Sequence, residues 1–297
     1  MSNNHGDIVI AAPAGYKWDE GTLKKITYVA EAGGVKYESL QKAIDAAKSK
    51  AVVTMLADTR ENVTISKALT LDLNGFTLNG STGERKAALK VDNATVTVMD
   101  SSANQTGTIK REDVEDPNVT GSNSYYVIDI QGGNGLLIFE GGNVTNTSGI
   151  VGVKGASLVR VGNDEYKNKI PTLTIKGGKF TQDNFIAIKV DYGTLNVTGG
   201  EINSANSYAI ENWKDANVTG GTINGAVASW TYSGGADSTT TISGGTINGS
   251  VTSVNYGNAT GKKATVNISG NAIVNGNLDT RSYNPSTNEL TLSLIHI

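Results

Sequence analysis

Along most of the chain, apolar and polar residues alternate for four or five positions, the chain meets a pair of glycines, and the alternation resumes. The clearest copies are "VTGGEINS" (Val197 to Ser204), "VTGGTING" (Val218 to Gly225) and "ISGGTING" (Ile242 to Gly249). With the first glycine as position zero, zero falls at Gly141, Gly177, Gly199, Gly220 and Gly244, and at Gly270 with Asn271 as the second member. Gly75 and Asp100 extend the series upstream. Successive zeros are 25, 41, 36, 22, 21, 24 and 26 residues apart, so all but two intervals describe one unit of nearly constant length.

The flanking columns define the unit. Position −2 holds Leu73, Val98, Phe139, Ile175, Val197, Val218, Ile242 and Ile268. Position −4 holds Leu71, Val96, Leu137, Leu173, Leu195, Ala216, Thr240 and Val266. Position +3 holds Leu78, Ala103, Val144, Phe180, Ile202, Ile223, Ile247 and Ile273. Alternation with period two and a β-branched bias predict strands with one buried face. A repeat of 20 to 30 residues without helical periodicity predicts an all-β solenoid, a parallel β-helix, in which each strand pairs with its equivalent one coil later. Glycine at zero is expected to supply a left-handed bend, and Asp100 to tolerate it. The two long intervals predict exposed insertions, "KREDVEDPNVTGSNS" (Lys110 to Ser124) and "RVGNDEYKNKIP" (Arg160 to Pro171).

One segment has helical spacing. In "YESLQKAIDAAKSK", Leu40, Ala43, Ile44 and Ala47 follow i, i+3, i+4, i+7, and Ser39 can cap the start. A helix at about 38–49, just before the first strands, is expected to cover the N-terminal end of the core. Residues 1–34 read as a linker or the tail of a preceding module, and 35–291 as the β-helix. The last six residues, "LSLIHI" (Leu292 to Ile297), miss the glycine due at position 294 and look like a translated sequencing-adapter end; they are expected to be non-native.

"VKYESLQKAIDAA…VVTMLADTRENVTI…LTLDLNGFTLNG" resembles the opening of pectate-lyase-like right-handed β-helix modules in large surface proteins of Gram-positive, gut-type bacteria. "APAGYKW" resembles a junction between modules of such proteins. The resemblance spans about Ala11 to Thr291. It implies a right-handed coil, a cell-surface or extracellular position and an adhesin-like or structural role, without implying an enzyme.

Composition narrows the chemistry. With no cysteine, there are no disulfides, thiolate metal sites or cysteine nucleophiles. The two histidines, His5 and His296, lie at the extremes of the chain and offer no catalytic or metal constellation. A net charge of −3 with scattered Lys and Arg argues against nucleic acid. No apolar run reaches the length of a membrane span, and the start lacks the pattern of a signal peptide. Neither cofactor nor metal is expected. The many Asn-x-Ser/Thr sequences are ordinary turn and exposed-strand residues here.

Two groups of side chains remain. Aligning "FIAIKVDYG" with "SYAIENWKD" sets Lys189 beside Glu211 and Asp191 beside Trp213, with Lys214 and Asp215 following. Lys189, Asp191, Glu211 and Asp215 are the weak catalytic candidates; a Lys–Glu pair on a solvated strand face is the commoner meaning of such a cluster. Tyr208, Trp213, Trp230, Tyr232 and Tyr256 fall in successive coils and are candidates for stacking on sugar rings. The sequence therefore leads to a non-catalytic structural or adhesive module, monomeric within a longer protein, with polysaccharide or host glycans as its candidate partners. The alternatives are a polysaccharide lyase or glycoside hydrolase on the same fold, and a phage or secreted fibre segment.

Overall fold

A computed structural model describes residues 11–112, 126–146, 157–163, 168–182, 184–257, 259–284 and 289–294, with side chains only up to residue 282 in the last part. The chain is 51% strand and 3% helix, in long parallel sheets curled into a half-barrel. Its described helix is too short to cross a membrane.

The alternation seen in the sequence becomes stacking. In Thr172–Ile175, Leu173 and Ile175 are buried while the threonines face away. Leu137, Leu173, Leu195, Ala216, Thr240 and Val266 pair in register, as do Phe139, Ile175, Val197, Val218, Ile242 and Ile268. This first ladder runs from Ala51–Met55 to Ala264–Ile268 in an eleven-stranded sheet. A second ladder aligns Leu78, Ile109, Val144, Phe180, Ile202, Ile223 and Ile247. Phe139 of the first ladder meets Phe180 of the second, with ring centroids 4.8 Å apart. The large apolar side chains of these ladders up to Ile242 and Ile247 leave water almost completely, a gain of about 1.5–3 kcal/mol apiece, while Val266 is half-buried and Ile268 exposed in the last coil.

A third ladder has no glycine signature. It aligns Val63, Leu89, Ile128, Val159, Ile188, Ile210, Val227, Val251 and Leu278. The strands Glu201–Asn212 and Thr222–Tyr232 run from the second ladder into the third, joining both in a seventeen-stranded sheet. Each coil thus contributes three strands, and the fold is a parallel, solenoid-like stack. Sequence spacing found two ladders and left the third undivided.

The glycine pair does two jobs, and the expected assignment is corrected. In the Gly-Gly pairs the left-handed residue is the second, with φ +80° at Gly200 and +84° at Gly221, whereas Gly75 and Gly270 are left-handed at position zero, as expected. The first is small because the coils touch there: a Cβ on Gly199 or Gly220 would collide with the carbonyl oxygen of Lys176 or Thr198. Asp100 is not left-handed either. Its carboxylate accepts from the backbone N–H of Gly75 (2.8 Å), Gly107 (2.6 Å) and Ser102 (3.1 Å). Burial opposes ionisation of this carboxyl, but the Ser102 hydroxyl together with these N–H groups outweighs it and holds the group below its ordinary range.

Three column assignments also change. Val98 pairs with Leu71, so Leu69 and Leu71 are the first coil's ladder residues and Gly75 lies two positions late. Ala103 is an exposed turn residue, and Ile109 fills the place expected for it. Val274, not Ile273, pairs with Ile247; one extra residue before it leaves Ile273 about half exposed. The insertions are shorter than expected as well. Lys110 and Arg111 belong to Thr108–Arg111, and Arg160 and Val161 to Val159–Val161, all paired between coils. Residues 113–125 and 164–167 of those segments lie outside the described residues.

At the N-terminal end, helix α1 (Leu40–Ala46) is shorter than its pattern but buries Leu40, Ala43 and Ile44. The Ser39 hydroxyl accepts from the N–H of Lys42. Glu61 completes the cap, accepting from the N–H groups of Leu40 (2.8 Å) and Gln41 (3.2 Å) and the hydroxyls of Ser39 and Thr59. Burial disfavours its charge, yet these donors keep the Glu61 carboxyl below its usual range. Upstream of residue 35, Ala30–Ala32 pairs antiparallel with Ala51–Met55, so the sheet begins before the expected linker ends. Tyr16–Asp19 and Thr22–Lys25 form a separate hairpin. At the other end, Glu289–Leu294 pairs antiparallel with Leu278–Asn284, which gives Leu292 to Leu294 a place in the sheet; residues 295–297 lie outside the described residues.

Two substitutions test the stacking. Ile223→Asp puts an unpaired charge between Ile202 and Ile247 and is expected to remove the cooperative thermal transition of the surrounding coils, since such burial costs several kcal/mol. An unchanged melting curve would refute the register. Gly220→Ala is expected to destabilise by about 1–3 kcal/mol in denaturant unfolding, because the coil above must move to admit the methyl group.

Candidate functional site

The glycine corners carry no reactive side chain, and the inward columns are mostly apolar, their buried polar members being Asn, Ser and Thr. Chemistry therefore falls to outward positions, and the third ladder has the least uniform outward face. In register along it stand Lys90, Asp129, Arg160, Lys189, Glu211, Ala228, Thr252 and Asp279. Two residues further along their strands come Asp92, Gln131, Asp191, Trp213, Trp230, Val254 and Arg281. The face is charged in its earlier coils, aromatic in the following ones and charged again at Asp279 and Arg281.

In the charged part every cation has an acid. Arg160 donates from Nε and a terminal nitrogen to the two carboxylate oxygens of Asp129, at 2.9 and 3.0 Å. Its guanidinium also lies 4.5 Å from the centre of the Tyr126 ring, a cation–π contact. Gln131 donates to the same Asp129 at 2.7 Å. Although outward, Asp129 and Arg160 are each only 8% exposed. Lys189 Nζ lies 3.0 Å from Asp191, and Lys90 pairs with Asp92 at 3.3 Å. Burial works to lower the Lys189 pKa, but the charge of Asp191, with help from Tyr126 and Glu211, outweighs it and raises it. Arg160 stays charged: burial acts against its charge, and Asp129 more than compensates.

Glu211 sits where the charged and aromatic parts meet. The backbone register places it beside Lys189, the alignment expected from sequence. It accepts one hydrogen bond, 2.8 Å, from the indole Nε1 of Trp213. Burial pushes its carboxyl above the ordinary carboxylate range, and the negative charge of Asp191 adds to this. Lys189 and the indole act in the other direction and are outweighed. Tyr208 is raised too, by its own burial and then by Glu211.

The five aromatic candidates come together in one patch. Trp213 and Trp230 stack with centroids 5.2 Å apart and ring planes 28° from parallel. Tyr208 meets Trp230 edge-on at 5.8 Å, and Tyr232 meets Trp213 edge-on at 5.6 Å. Tyr256 lies 6.3 Å from Trp230 and 6.5 Å from Trp213. All five are half-buried. The rings are therefore a packed layer and not a row of free-standing platforms.

Of the four acid–base candidates, three share this face: Lys189, Asp191 and Glu211. Asp215 stands apart, opening a strand of the first ladder between Thr194 and Thr239, with Lys214 3.9 Å away. Sequence reasoning missed Tyr126, Asp129, Gln131 and Arg160. The first three follow the longer insertion, where column counting loses register, and Arg160 was assigned to an exposed loop. The available signal was the same alternation that marks Ile188–Val190, in "VIDIQ" and "LVRV". Among the described residues, no three His, Cys, Asp or Glu side chains converge as a metal-binding group.

This geometry fixes a pH dependence. A carboxyl whose folded-state pKa is raised adds stability in full below its unfolded pKa and loses it as pH rises through the folded value. Wild type is therefore expected to lose thermal stability relative to Glu211→Gln as pH rises above a free glutamate's pKa of about 4.3. A constant gap between the two melting temperatures would show that the fold does not raise the Glu211 carboxyl.

Compared with protein-family models, curated proteins and solved structures, the chain gives no match, so the reading of this face rests on its own geometry.

Proposed function

We propose that this chain is a non-catalytic structural or adhesive module, a right-handed parallel β-helix of a bacterial cell-surface or secreted protein, whose third face contacts glycans. The observation that carries the reading is the gathering of Tyr208, Trp213, Trp230, Tyr232 and Tyr256 into one half-buried patch beside a band of hydrogen-bonding side chains. Aromatic surface with a few oriented polar groups suits sugars, which offer a C–H face and a rim of hydroxyls. The right-handed coil follows from the strong preference of parallel strand crossovers for that hand. The surface position follows from the pectate-lyase-like resemblance of the opening segment.

A second reading is a polysaccharide-cleaving enzyme, and one observation favours it: the Glu211 carboxyl is raised, as a general acid requires. Hydrolysis also needs a second carboxylate free to act as base or nucleophile. Asp191 is tied to Lys189, Asp129 to Arg160 and Gln131, and Asp215 lies on another ladder. The binding reading is preferred on that ground.

The test joins a glycan array to a polysaccharide-degradation assay. Trp213→Ala with Trp230→Ala is expected to weaken glycan binding by at least about tenfold. The same pair lowers the melting temperature somewhat, since a stacked pair contributes about 0.5–1.5 kcal/mol beyond its buried area. Asp191→Asn and Glu211→Gln are expected to leave cleavage at the background of wild type. Reproducible cleavage by wild type, abolished in either carboxylate variant, would replace the binding reading with the enzymatic one.

A further inference from the structure

We infer that the polymer taken by the third face is an uncharged polysaccharide lying along the stack, and not a polyuronate or a sulfated glycan. The inference rests on the glycan-contact reading and names the class of glycan.

The charge inventory of the face decides it. Three cations line its middle and late coils, and each is held by a carboxylate of the same face: Arg160 by Asp129, Lys189 by Asp191 and Arg281 by Asp279, at 2.9, 3.0 and 2.9 Å. Lys90 and Asp92 repeat the arrangement in an earlier coil. Glu211 is a further carboxyl with no cation within salt-bridge distance among the described residues. An acidic polymer would have to displace an internal carboxylate from a half-buried ion pair, or lie against Glu211. Arg160 is the least available, because two of its nitrogens and one face of its plane are already engaged. A neutral sugar meets none of these penalties. The paired groups still offer peripheral donors and acceptors to hydroxyls.

The aromatic part supplies length. Trp213, Trp230 and Tyr256 belong to three successive coils rising by about 4.8 Å each, with Tyr256 two residues beyond Val254, the partner of Trp230, and in register with Tyr232. That rise is comparable to one pyranose unit of an extended chain, so a polymer along the axis advances by about one sugar per coil.

The test uses the full chain and measures affinity by calorimetry for soluble mannan, xylan and mixed-linkage glucan, and for polygalacturonate and heparin. Salt is set at about 0.1 M and about 1 M, which shortens the screening length from roughly 10 Å to 3 Å. A neutral polymer is expected to bind with less than about a twofold change between the two salts, and at least about tenfold more tightly than either polyanion. Tyr256→Ala, at the border of the ring cluster, is expected to weaken that binding while the melting temperature shows the fold intact. Asp191→Asn, which releases Lys189, is expected to raise polygalacturonate binding relative to that of the neutral polymer. Tighter, salt-sensitive binding of polygalacturonate or heparin by wild type would overturn the inference and leave the glycan-contact reading standing. Absence of binding to all five polymers would overturn both.

Discussion

The structure depends on how closely one coil can lie on the next at a single corner. Strands one coil apart hydrogen-bond at a fixed spacing, and the chain must turn between the first and second ladders within that spacing. At Gly199 and Gly220 the preceding coil's carbonyl occupies the space a Cβ would need. The next residue then reverses direction at positive φ. One glycine is set by contact between coils and the other by backbone conformation. Where the first coils lack the pair, other devices close the same corner: Asn74 takes the left-handed position, and the carboxylates of Asp72 and Asp100 gather the N–H groups left around the turn.

This division explains what could be read from the sequence. Contact and conformation both select glycine, so the corner is visible, and the strands beside it stand in register with it. The first two ladders were legible for that reason, even where the residue called on to bend was the wrong member of the pair. The third ladder has no such marker, because the length of chain before it varies from coil to coil. Its inward row is also chemically mixed, passing from Ile130, Val161 and Val190 to Asn212, Ser229 and Ser253. Around Lys189 and Glu211, where two neighbouring coils have equal spans between the second and third ladders, alignment placed the outward residues correctly. Arg160 and Asp129 make a bidentate ion pair, and they were invisible because Asp129 follows one insertion and Arg160 stands at the start of the segment read as the other.

The candidate face therefore sits where the repeat constrains sequence least. Side chains of the first two ladders are fixed by stacking: small at the corner, apolar inside, Thr and Asn outside. Asn203, Asn224, Asn248 and Asn275 bond in succession from coil to coil, a use of outward positions that consumes their polarity within the fold. The outward third ladder breaks that uniformity with acids, bases and rings. Its charges neutralise one another in pairs, which makes them tolerable at low exposure and leaves little field for attracting an ion.

What lies beneath the rings completes the account. Behind Trp213 and Trp230 the inward row is polar yet fully buried, and its bonds run between ladders. Asn212 donates to the Thr239 carbonyl and the Thr240 hydroxyl, both at 2.9 Å, and its own oxygen accepts from the N–H of Lys214. Ser229 bonds to Ser238 at 2.9 Å. An apolar row would bury more hydrophobic surface, but it would also let neighbouring strands slip with little change in energy. Directed bonds between the third ladder and the first have one satisfying register, and leaving them unmet inside the core costs about 1–3 kcal/mol for each group. The polar row therefore locks the strand that carries Trp213 to the sheet behind it, and the aromatic layer is presented from a backbone with little freedom to move.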